Sequence, residues 1–299
     1  MTQTIQHPSS KVSTDVWRLP EAAKIQFAHF RVSDLGRSLQ FYRDLLGLVE
    51  TRTEGNITLL AAAGSNEPIL RLTEDGSAKP RSRRSPGLFH LALLYPNRRD
   101  LAAAFKHLYV RRWPFQGFAD HGVSEALYLA DPEGNGIELY RDLPRDQWRS
   151  RNGELEMVTE PLDLDNLLSE LTGTEGEDTM TSEGLSVGHI HLQVSDLHRT
   201  EEFYHDALGF DITQRSFPGA LFMSAGGYHH HIGANVWNSR GSAPMQEDGL
   251  GLVEFGVTLG NAQSRQALAA RMKPEADPAA EPAEMFVVSD PDNIKVSIV

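Results

Sequence analysis

Histidine and carboxylate side chains are the groups through which this chain could bind a metal ion, because it contains twelve histidines and no cysteine. Three of the histidines are consecutive, at His229, His230 and His231, and such a run can bind divalent cations nonspecifically. His189 and His191 stand two positions apart in a segment with a strand pattern, so both side chains should lie on one face. The residue types therefore offer metal or proton chemistry without deciding which histidines carry it.

A duplicated passage indicates which elements hold these histidines. Residues 29–48 read HFRVSDLGRSLQFYRDLLGL, and residues 191–210 read HLQVSDLHRTEEFYHDALGF. Both contain H-x-x-V-S-D-L, then F-Y, D and L-G, at a constant spacing and without a gap. Two unrelated segments would not share that skeleton by chance, so the chain contains an internal duplication.

Each copy opens on a short strand pattern and continues into a helix. Ser33-Asp34 and Ser195-Asp196 supply side-chain oxygens suited to the free amide groups of a first helical turn. Apolar residues follow at helical spacing, and Gly47 and Gly209 stand where each helix should end. Further strand patterns come after the glycines, so each copy predicts a strand, a helix and then more strands.

A second unit of the same plan follows each copy, which makes four modules. They are M1 (near 24–75), M2 (near 86–142), M3 (near 186–238) and M4 (near 249–299). We predict an α+β protein with an N-terminal tail at 1–23, a first domain of M1 and M2 at 24–142, a linker at 143–184 and a second domain of M3 and M4 at 185–299. The linker contains a short predicted helix at Leu162–Leu171.

Composition excludes several classes of function. The formal net charge of −13 argues against nucleic acid as a partner, because phosphate binding needs a basic face. No apolar stretch approaches the length of a membrane span, and the N-terminus lacks the apolar region of a secretory signal. Together with the absence of cysteine, these features predict a cytoplasmic protein without nucleic acid or membrane partners.

The four-module plan resembles the vicinal oxygen chelate superfamily, which includes glyoxalase I, fosfomycin-resistance proteins and extradiol ring-cleaving dioxygenases. In that superfamily, pairs of βαβββ modules form an open, curved sheet that surrounds a divalent metal. The resemblance covers nearly all of the chain outside the N-terminal tail and the linker. It implies four βαβββ modules paired into two open curved barrels.

The resemblance also implies three metal-ligand positions. One lies on the first strand of a module, five residues before the valine of V-x-D-L; one lies on the first strand of the partner module; and one is the glutamate that follows D-P-x-G. These positions hold His189 in M3, and His90 and Glu138 in M2. The corresponding positions in the other modules hold Phe27, Glu254 and Ser297.

Neither half of the sequence contains a complete ligand set. We therefore predict that M2 pairs with M3 around His90, Glu138 and His189, while M1 pairs with M4 without a metal. Two histidines and one carboxylate are the ligand set of non-heme Fe(II) oxygenases, which leaves metal positions open. His191 is a rival of His189, although its counterpart His29 in the first copy indicates a structural role common to both copies.

Residues 121–138 read HGVSEALYLADPEGNGIE and are similar to the extradiol dioxygenase signature. They depart from it at Ala119, where glycine or a similar residue is usual. By this resemblance, His121 is an acid or base beside the metal, and Tyr128 is a hydrogen-bonding residue of the pocket. A histidine suits proton transfer because its pKa lies near neutrality.

The segment GGYHHHIGANVW at 226–237 resembles a stretch typical of two-domain catechol-2,3-dioxygenases. Because it belongs to M3, we expect it beside His189. In a strand, His229 and His231 would point one way and His230 the other. The predicted substrate-binding residues are His229, His230, His231, Asn235 and Trp237.

The resemblance implies an oxidoreductase that uses Fe(II), or alternatively Mn(II), with a small aromatic diol and O2 as reactants. The ring would open beside the diol. The oligomeric state is left open, with a homo-oligomer among the options.

Three alternatives remain: a hydroquinone dioxygenase, a glyoxalase-like isomerase or lyase, and a non-catalytic small-molecule-binding protein of the same fold. A glyoxalase would add a fourth ligand near the place of Arg71 or Gly233, which cannot supply one, although His229 or His231 could substitute. The retained ligand triad argues against a purely binding role.

Overall fold

The elements follow the four modules in order in the computed structural model, which describes residues 17–176, 180, 182–272 and 285–299. M1 contributes β1 (Lys24–Val32), α1 (Leu35–Leu39), β2 (Val49–Glu54), β3 (Ile57–Ala61) and β4 (Pro68–Glu74). M2 contributes β5 (Gly87–Leu94), α2 (Arg98–Val110), β6 (Phe115–Asp120), β7 (Ser124–Ala130) and β8 (Gly136–Asp142).

The linker and the second half continue the same order. The linker holds a 3-10 turn (Arg145–Gln147), β9 (Ser150–Arg151), β10 (Glu154–Leu155) and α3 (Leu164–Leu168). M3 contributes β11 (Ser186–Gln193), α4 (Leu197–Glu201), β12 (Asp211–Gln214), β13 (Ala220–Ser224) and β14 (Ile232–Asn235). M4 contributes β15 (Gly251–Thr258), α5 (Ala262–Met272), β16 (Phe286–Ser289) and β17 (Lys295–Ile298). Within the described residues M4 thus has three strands rather than four. None of the described helices is long and apolar enough to cross a membrane.

The helices of the duplicated passage begin at the predicted caps. The Asp34 side chain accepts a hydrogen bond from the backbone N–H of Arg37, and Asp196 accepts from that of Arg199. Both helices then widen into π-helical turns, at Gln40–Leu45 and Glu202–Ala207. The apolar spacing predicted only a helix, because over so few residues it does not distinguish the two hydrogen-bond patterns.

Two open sheets take their strands from different halves of the sequence. The first sheet has the order β16-β17-β15-β1-β4-β3-β2 and joins M4 to M1. The second sheet has the order β12-β13-β14-β11-β5-β8-β7-β6 and joins M3 to M2. Antiparallel pairs of first strands, β1 with β15 and β11 with β5, form the two junctions. The predicted pairing of M2 with M3 and of M1 with M4 is therefore confirmed.

The two sheets share a hydrophobic core. The backs of β1 and β11 face each other, and one continuous cluster of buried apolar side chains includes Phe30 and Phe255 from the first sheet and Leu91 and Ile190 from the second. Burying each such side chain contributes roughly 1.5–3 kcal/mol. Because the core draws on both sheets, the open concave faces are left for a site.

Hydrogen bonds between the duplicated tyrosine and the D-P turn link the two sheets. The Tyr42 hydroxyl, from M1, donates a hydrogen bond of 2.8 Å to Asp131 in the turn between β7 and β8 of M2. The Tyr204 hydroxyl, from M3, donates in the same way to Asp290 of M4 at 3.1 Å. Both bonds are buried. Each of these hydrogen bonds therefore links the two modules of one sequence half, although those modules lie in different sheets.

Candidate active site

Three side chains from adjacent strands converge on the concave face of the second sheet. His90 lies on β5, which is flanked by β8 with Glu138 and by β11 with His189. One oxygen of Glu138 lies 2.9 Å from His90 Nε2 and 3.0 Å from His189 Nε2, and the two nitrogens are 3.3 Å apart. All three residues are buried. We call them the ligand cluster.

A glycine next to His189 shapes this part of the cluster. The register of β11 against β5 shifts between Val187 and His189, which leaves Gly188 at a bulge. A side chain at Gly188 would collide with the buried hydroxyl of Tyr140. The bulge re-aims the strand locally, as bulges near functional sites commonly do. Gly188 therefore leaves room for the side chain of Tyr140, which reaches from β8 past β5 to the backbone next to His189.

The charge state of the ligand cluster suits a cation. Burial favours the neutral form of Glu138, but the neighbouring His189 and His90 outweigh it and hold the pKa of Glu138 well below its ordinary value. Burial lowers the pKa of His189 to about 4. At neutral pH the cluster thus contains an ionised carboxylate beside a neutral imidazole, which are the forms that bind metals.

The donor atoms fit a single metal ion. Metal bonds of about 2.1 Å that meet at right angles place neighbouring ligand atoms about 3 Å apart. The three distances within the ligand cluster are 2.9, 3.0 and 3.3 Å. His90, Glu138 and His189 are therefore spaced as ligands on one side of a metal, with the opposite side facing a cavity.

His191, the rival of His189, lies outside the ligand cluster. Its Nε2 lies 3.1 Å from the side-chain amide of Asn235, which donates to it. In the first sheet, the Nε2 of His29 lies 2.8 Å from the Thr73 hydroxyl. Thr73 and Asn235 stand two residues beyond the register partners of His29 and His191 on the neighbouring strands. The duplicated histidine therefore makes the same side-chain hydrogen bond in both sheets.

His121 and Tyr128 form a hydrogen-bonded pair beside the cluster. The Nδ1 of His121 lies 2.6 Å from the carbonyl of Val158, and the Nε2 lies 2.7 Å from the hydroxyl of Tyr128. A carbonyl only accepts, so Nδ1 carries a proton, and Nε2 is the ring nitrogen left to exchange one. Burial, together with Glu138, raises the pKa of Tyr128 well above its ordinary value, so its hydroxyl remains a donor.

The three consecutive histidines lie in a turn before β14 rather than in the strand on which the predicted alternation of their faces depended. His230 lines the cavity and packs on His189, with ring centroids 4.1 Å apart. His229 lies behind it, with Nδ1 2.8 Å from His230 and Nε2 3.0 Å from Asp142. His231 accepts a hydrogen bond from the backbone N–H of Ala225, away from the cavity wall. A turn places successive side chains by its own dihedral angles, which the strand pattern does not predict.

The ligand cluster opens onto a cavity of about 130 Å³. Its polar lining includes the ligand cluster with His121, Tyr128, His191, His230, Ser124 and Thr159. Its apolar lining includes Phe89, Val123, Met157, Val158, Phe217, Phe222 and Trp237. Of the other predicted substrate-binding residues, Asn235 supports His191 from below, and Trp237 stands in the wall with 45% of its surface exposed.

Several lining residues have no signal in the sequence motifs. Met157, Val158 and Thr159 belong to the linker, which crosses the concave face and pairs Glu160 with Asp120 of β6. Phe217 lies in the loop before β13. Apolar residues in a linker or a loop match no periodic pattern, so only the folded chain shows that they close the cavity.

The matching face of the first sheet holds an arginine instead of a ligand cluster. The Arg71 guanidinium lies 3.5 Å over the ring of Phe27 and 3.8 Å from Glu254. Ser297 donates a hydrogen bond of 2.6 Å to the other oxygen of Glu254. Phe27, Glu254 and Ser297 occupy the positions that His189, His90 and Glu138 fill in the second sheet. The positive charge beside Glu254 is thus supplied by the chain itself.

Comparisons with known proteins agree with this architecture. Catechol-2,3-dioxygenase of Bacillus subtilis (strain 168) is 40% identical over 275 residues, which are 91% of this chain and 95% of that protein. The crystal structure of a putative dioxygenase from Bacillus subtilis subsp. subtilis str. 168 has a TM-score of 0.62 at 12% identity, over 94% of this chain and 86% of that one. Glyoxalase I from Zea mays has a TM-score of 0.56 at 16% identity, over 93% and 92%.

The family comparison covers both halves of the chain. The model of the Glyoxalase/Bleomycin resistance protein/Dioxygenase superfamily matches residues 24–139 and 186–298, which include M1 with M2 and M3 with M4. The relative at 40% identity extends over nearly the whole length of both proteins, so the likeness is not confined to one module. The chain belongs to the Glyoxalase/Bleomycin resistance protein/Dioxygenase superfamily and is a homologue of a catechol-2,3-dioxygenase.

Proposed function

We propose that this protein is an extradiol ring-cleaving dioxygenase that opens a catechol-type ring with O2 at a mononuclear Fe(II) site. The observation that carries the proposal is the ligand cluster of His90, Glu138 and His189 at the base of an apolar cavity. Identity of 40% to a catechol-2,3-dioxygenase supports it independently. Mn(II) is the alternative cation, because it accepts the same ligand set.

The ligand cluster would hold the metal through two imidazole nitrogens and one carboxylate oxygen. A bound Fe(II) supplies open coordination positions for the vicinal oxygens of a catechol and for O2, together with the redox chemistry of ring opening. The carbon–carbon bond beside the diol breaks, and both atoms of O2 enter the product. The other tasks fall to the chain: orienting the ring, excluding water and moving a proton.

His121 is suited to the proton step. Its Nδ1–H is held by the Val158 carbonyl, so Nε2 is the atom that can take a proton and later return it. Tyr128 donates to that Nε2 and holds the ring in place at the cavity wall. His121 and Tyr128 are therefore proposed as the catalytic pair, with His230, which lines the cavity over His189, as a substrate contact.

The choice against a glyoxalase-type reaction rests on the ligand count. Such an enzyme adds a fourth ligand, but the group that contains His90 and Glu138 has three members within the described residues. A second group, His189 with His229 and His230, shares His189, and its His229 Nε2 already faces Asp142. The geometry therefore favours a three-ligand site with positions open for substrate and O2.

The test is purification under anaerobic conditions with Fe(II), metal analysis, and then a spectrophotometric assay with catechol in air. The expected results are one bound iron per chain and a yellow product that absorbs in the near-visible range. Bound metal without ring cleavage of catechol would contradict extradiol activity on catechols and favour a hydroquinone or glyoxalase-type substrate. A protein that takes up no metal would overturn the proposal and favour a non-catalytic binding role.

A further inference from the structure

An unbroken series of aromatic rings leads from the ligand cluster to the mouth of the cavity. Phe89 packs against His90 with ring centroids 5.5 Å apart and against Trp237 at 5.3 Å. Trp237 is 6.4 Å from Phe217, which is 6.0 Å from Phe222, and Phe222 returns to His230 at 5.0 Å. The cavity thus has a polar end at the ligand cluster and an aromatic wall beyond it.

Apolar side chains from two further segments pack against these rings. Val123, Met157 and Phe222 belong to one buried hydrophobic cluster, and Phe217 packs against it. Val123 precedes β7, whereas Met157 comes from the linker, so two separate segments meet there. A ring bound with its diol at the ligand cluster would place its far edge, and any substituent on that edge, among these side chains.

Positive charge is missing from this part of the site. No arginine or lysine among the described residues lines the cavity. Two arginines on the flanking elements are engaged elsewhere: Arg141 pairs with Glu125 at 2.7 Å, and Arg145 donates to the carbonyl of Gly226. A carboxylate entering this apolar end would lose water without gaining a cation or a matching set of donors.

We infer that the site selects uncharged catechols that carry an apolar substituent and discriminates against catechols that carry a carboxylate. This inference rests on the proposed function and narrows it. Apolar substituents gain from burial against Phe217, Phe222 and Met157. Anionic substituents are disfavoured because they would lose water at an apolar end of the cavity that offers no cation. The substrate would therefore come from a reaction that leaves two adjacent hydroxyl groups on an otherwise hydrocarbon ring.

The test compares 4-ethylcatechol with 3,4-dihydroxyphenylacetate. The two compounds differ only at the end of the substituent, which is a methyl group in the first and a carboxylate in the second. Isothermal titration calorimetry under anaerobic conditions measures the dissociation constant of each for the Fe(II)-loaded protein and again for the metal-free protein. The titration of the metal-free protein measures the preference between the two compounds that is due to the cavity wall rather than to the metal. We expect the acid to bind at least about tenfold more weakly, since an uncompensated charge in an apolar site costs more than 1.4 kcal/mol. Turnover of both compounds in air is measured separately.

Phe217 offers a matched pair of variants. It is half-buried in a loop at the cavity, so an arginine there can keep its head group in water without disrupting the core. Phe217→Arg should improve binding of 3,4-dihydroxyphenylacetate relative to 4-ethylcatechol by about tenfold, the effect of one charge-assisted contact. Phe217→Met, which is long and uncharged, should leave the ratio of the two constants unchanged.

Each outcome separates this inference from the proposed function. If the acid binds as tightly as 4-ethylcatechol and both are cleaved, the selectivity is wrong and the dioxygenase function stands. If 4-ethylcatechol binds preferentially and neither compound is cleaved, the selectivity stands and the function is wrong. If neither compound binds, the cavity is not a catechol site, and both are wrong.

Discussion

The Nε2 atoms of His90 and His189 lie 3.3 Å apart, although the two residues come from different halves of the duplicated chain. They meet because β5 and β11 pair antiparallel at the centre of the second sheet. Glu138 reaches the same point from β8, which runs parallel to β5 on its other side. Each half of the chain thus contributes part of one site, and the pairing of modules completes it.

Replacing His90, Glu138 or His189 by alanine should abolish metal uptake. Each substitution removes one of three ligands from a buried site, and the remaining two cannot hold a divalent cation against water. Metal analysis of the purified variants should show background levels, and catechol turnover should fall by more than about 100-fold. A variant that keeps its metal would remove that residue from the ligand set.

Glu254→Gln provides the matched control in the first sheet. Glu254 occupies the position that corresponds to His90, but its neighbours are Arg71 and Ser297 rather than a second and third ligand. The variant should retain wild-type metal content, with stability lowered by about 1–3 kcal/mol because Arg71 loses a half-buried partner. Metal analysis and urea unfolding measure the two quantities. Loss of the metal would show that the first sheet takes part in binding.

His121→Ala should keep the metal and slow the reaction. His121 lies outside the ligand cluster, so metal content should equal that of wild type. Loss of a positioned acid or base typically lowers kcat by about 10²–10⁴-fold. Tyr128→Phe, which removes only the hydroxyl that donates to His121 Nε2, should have a smaller effect. Steady-state kinetics with metal analysis would check both variants, and an unchanged kcat in His121→Ala would exclude the proton role.

Gly188→Ala should weaken the site through the backbone. A methyl group there collides with the Tyr140 hydroxyl, so either Tyr140 or β11 must shift, and His189 shifts with the strand. We expect a stability loss of about 1–3 kcal/mol, typical of overpacking, together with weaker metal binding. Gly117→Ala on β6 is the control, because a methyl group at Gly117 would meet nothing within 4 Å. Equal metal affinity in both variants would argue against a positioning role for Gly188.

The metal-free protein should lose stability on acidification, and His231 should account for part of the loss. Burial lowers the pKa of His231 to about 3, below the ordinary value near 6.5. Between those values the unfolded chain binds more protons than the folded chain, so stability falls as pH decreases from about 6.5 towards 3. His231→Asn keeps an acceptor for the Ala225 N–H but does not titrate. Between pH 7 and pH 5, urea unfolding should show a stability loss about 2 kcal/mol smaller in this variant.

Local chemistry explains which parts of the fold were predictable from sequence. Asp34 and Asp196 cap the helices that follow them, since a cap depends on residues within three or four positions. The short linker helix was also predicted, although it is confined to Leu164–Leu168. His90 and Glu138 lie in the first half of the sequence, whereas His189 lies in the second. Because each half lacked a ligand that the other held, this division predicted the pairing of M2 with M3.

The sequence by itself determined the four modules, the capped helices and the pairing that brings two histidines and a glutamate to one sheet. Tertiary structure alone decided how the cavity closes. Met157 and Val158 reach it from the linker, Phe217 from a loop, and His230 from a turn. Periodicity and capping act over a few residues along the chain, whereas these contacts depend on how distant segments pack. For the same reason, Met157 and Phe217, which help to form the apolar wall that would select the substrate, have no counterpart in any motif.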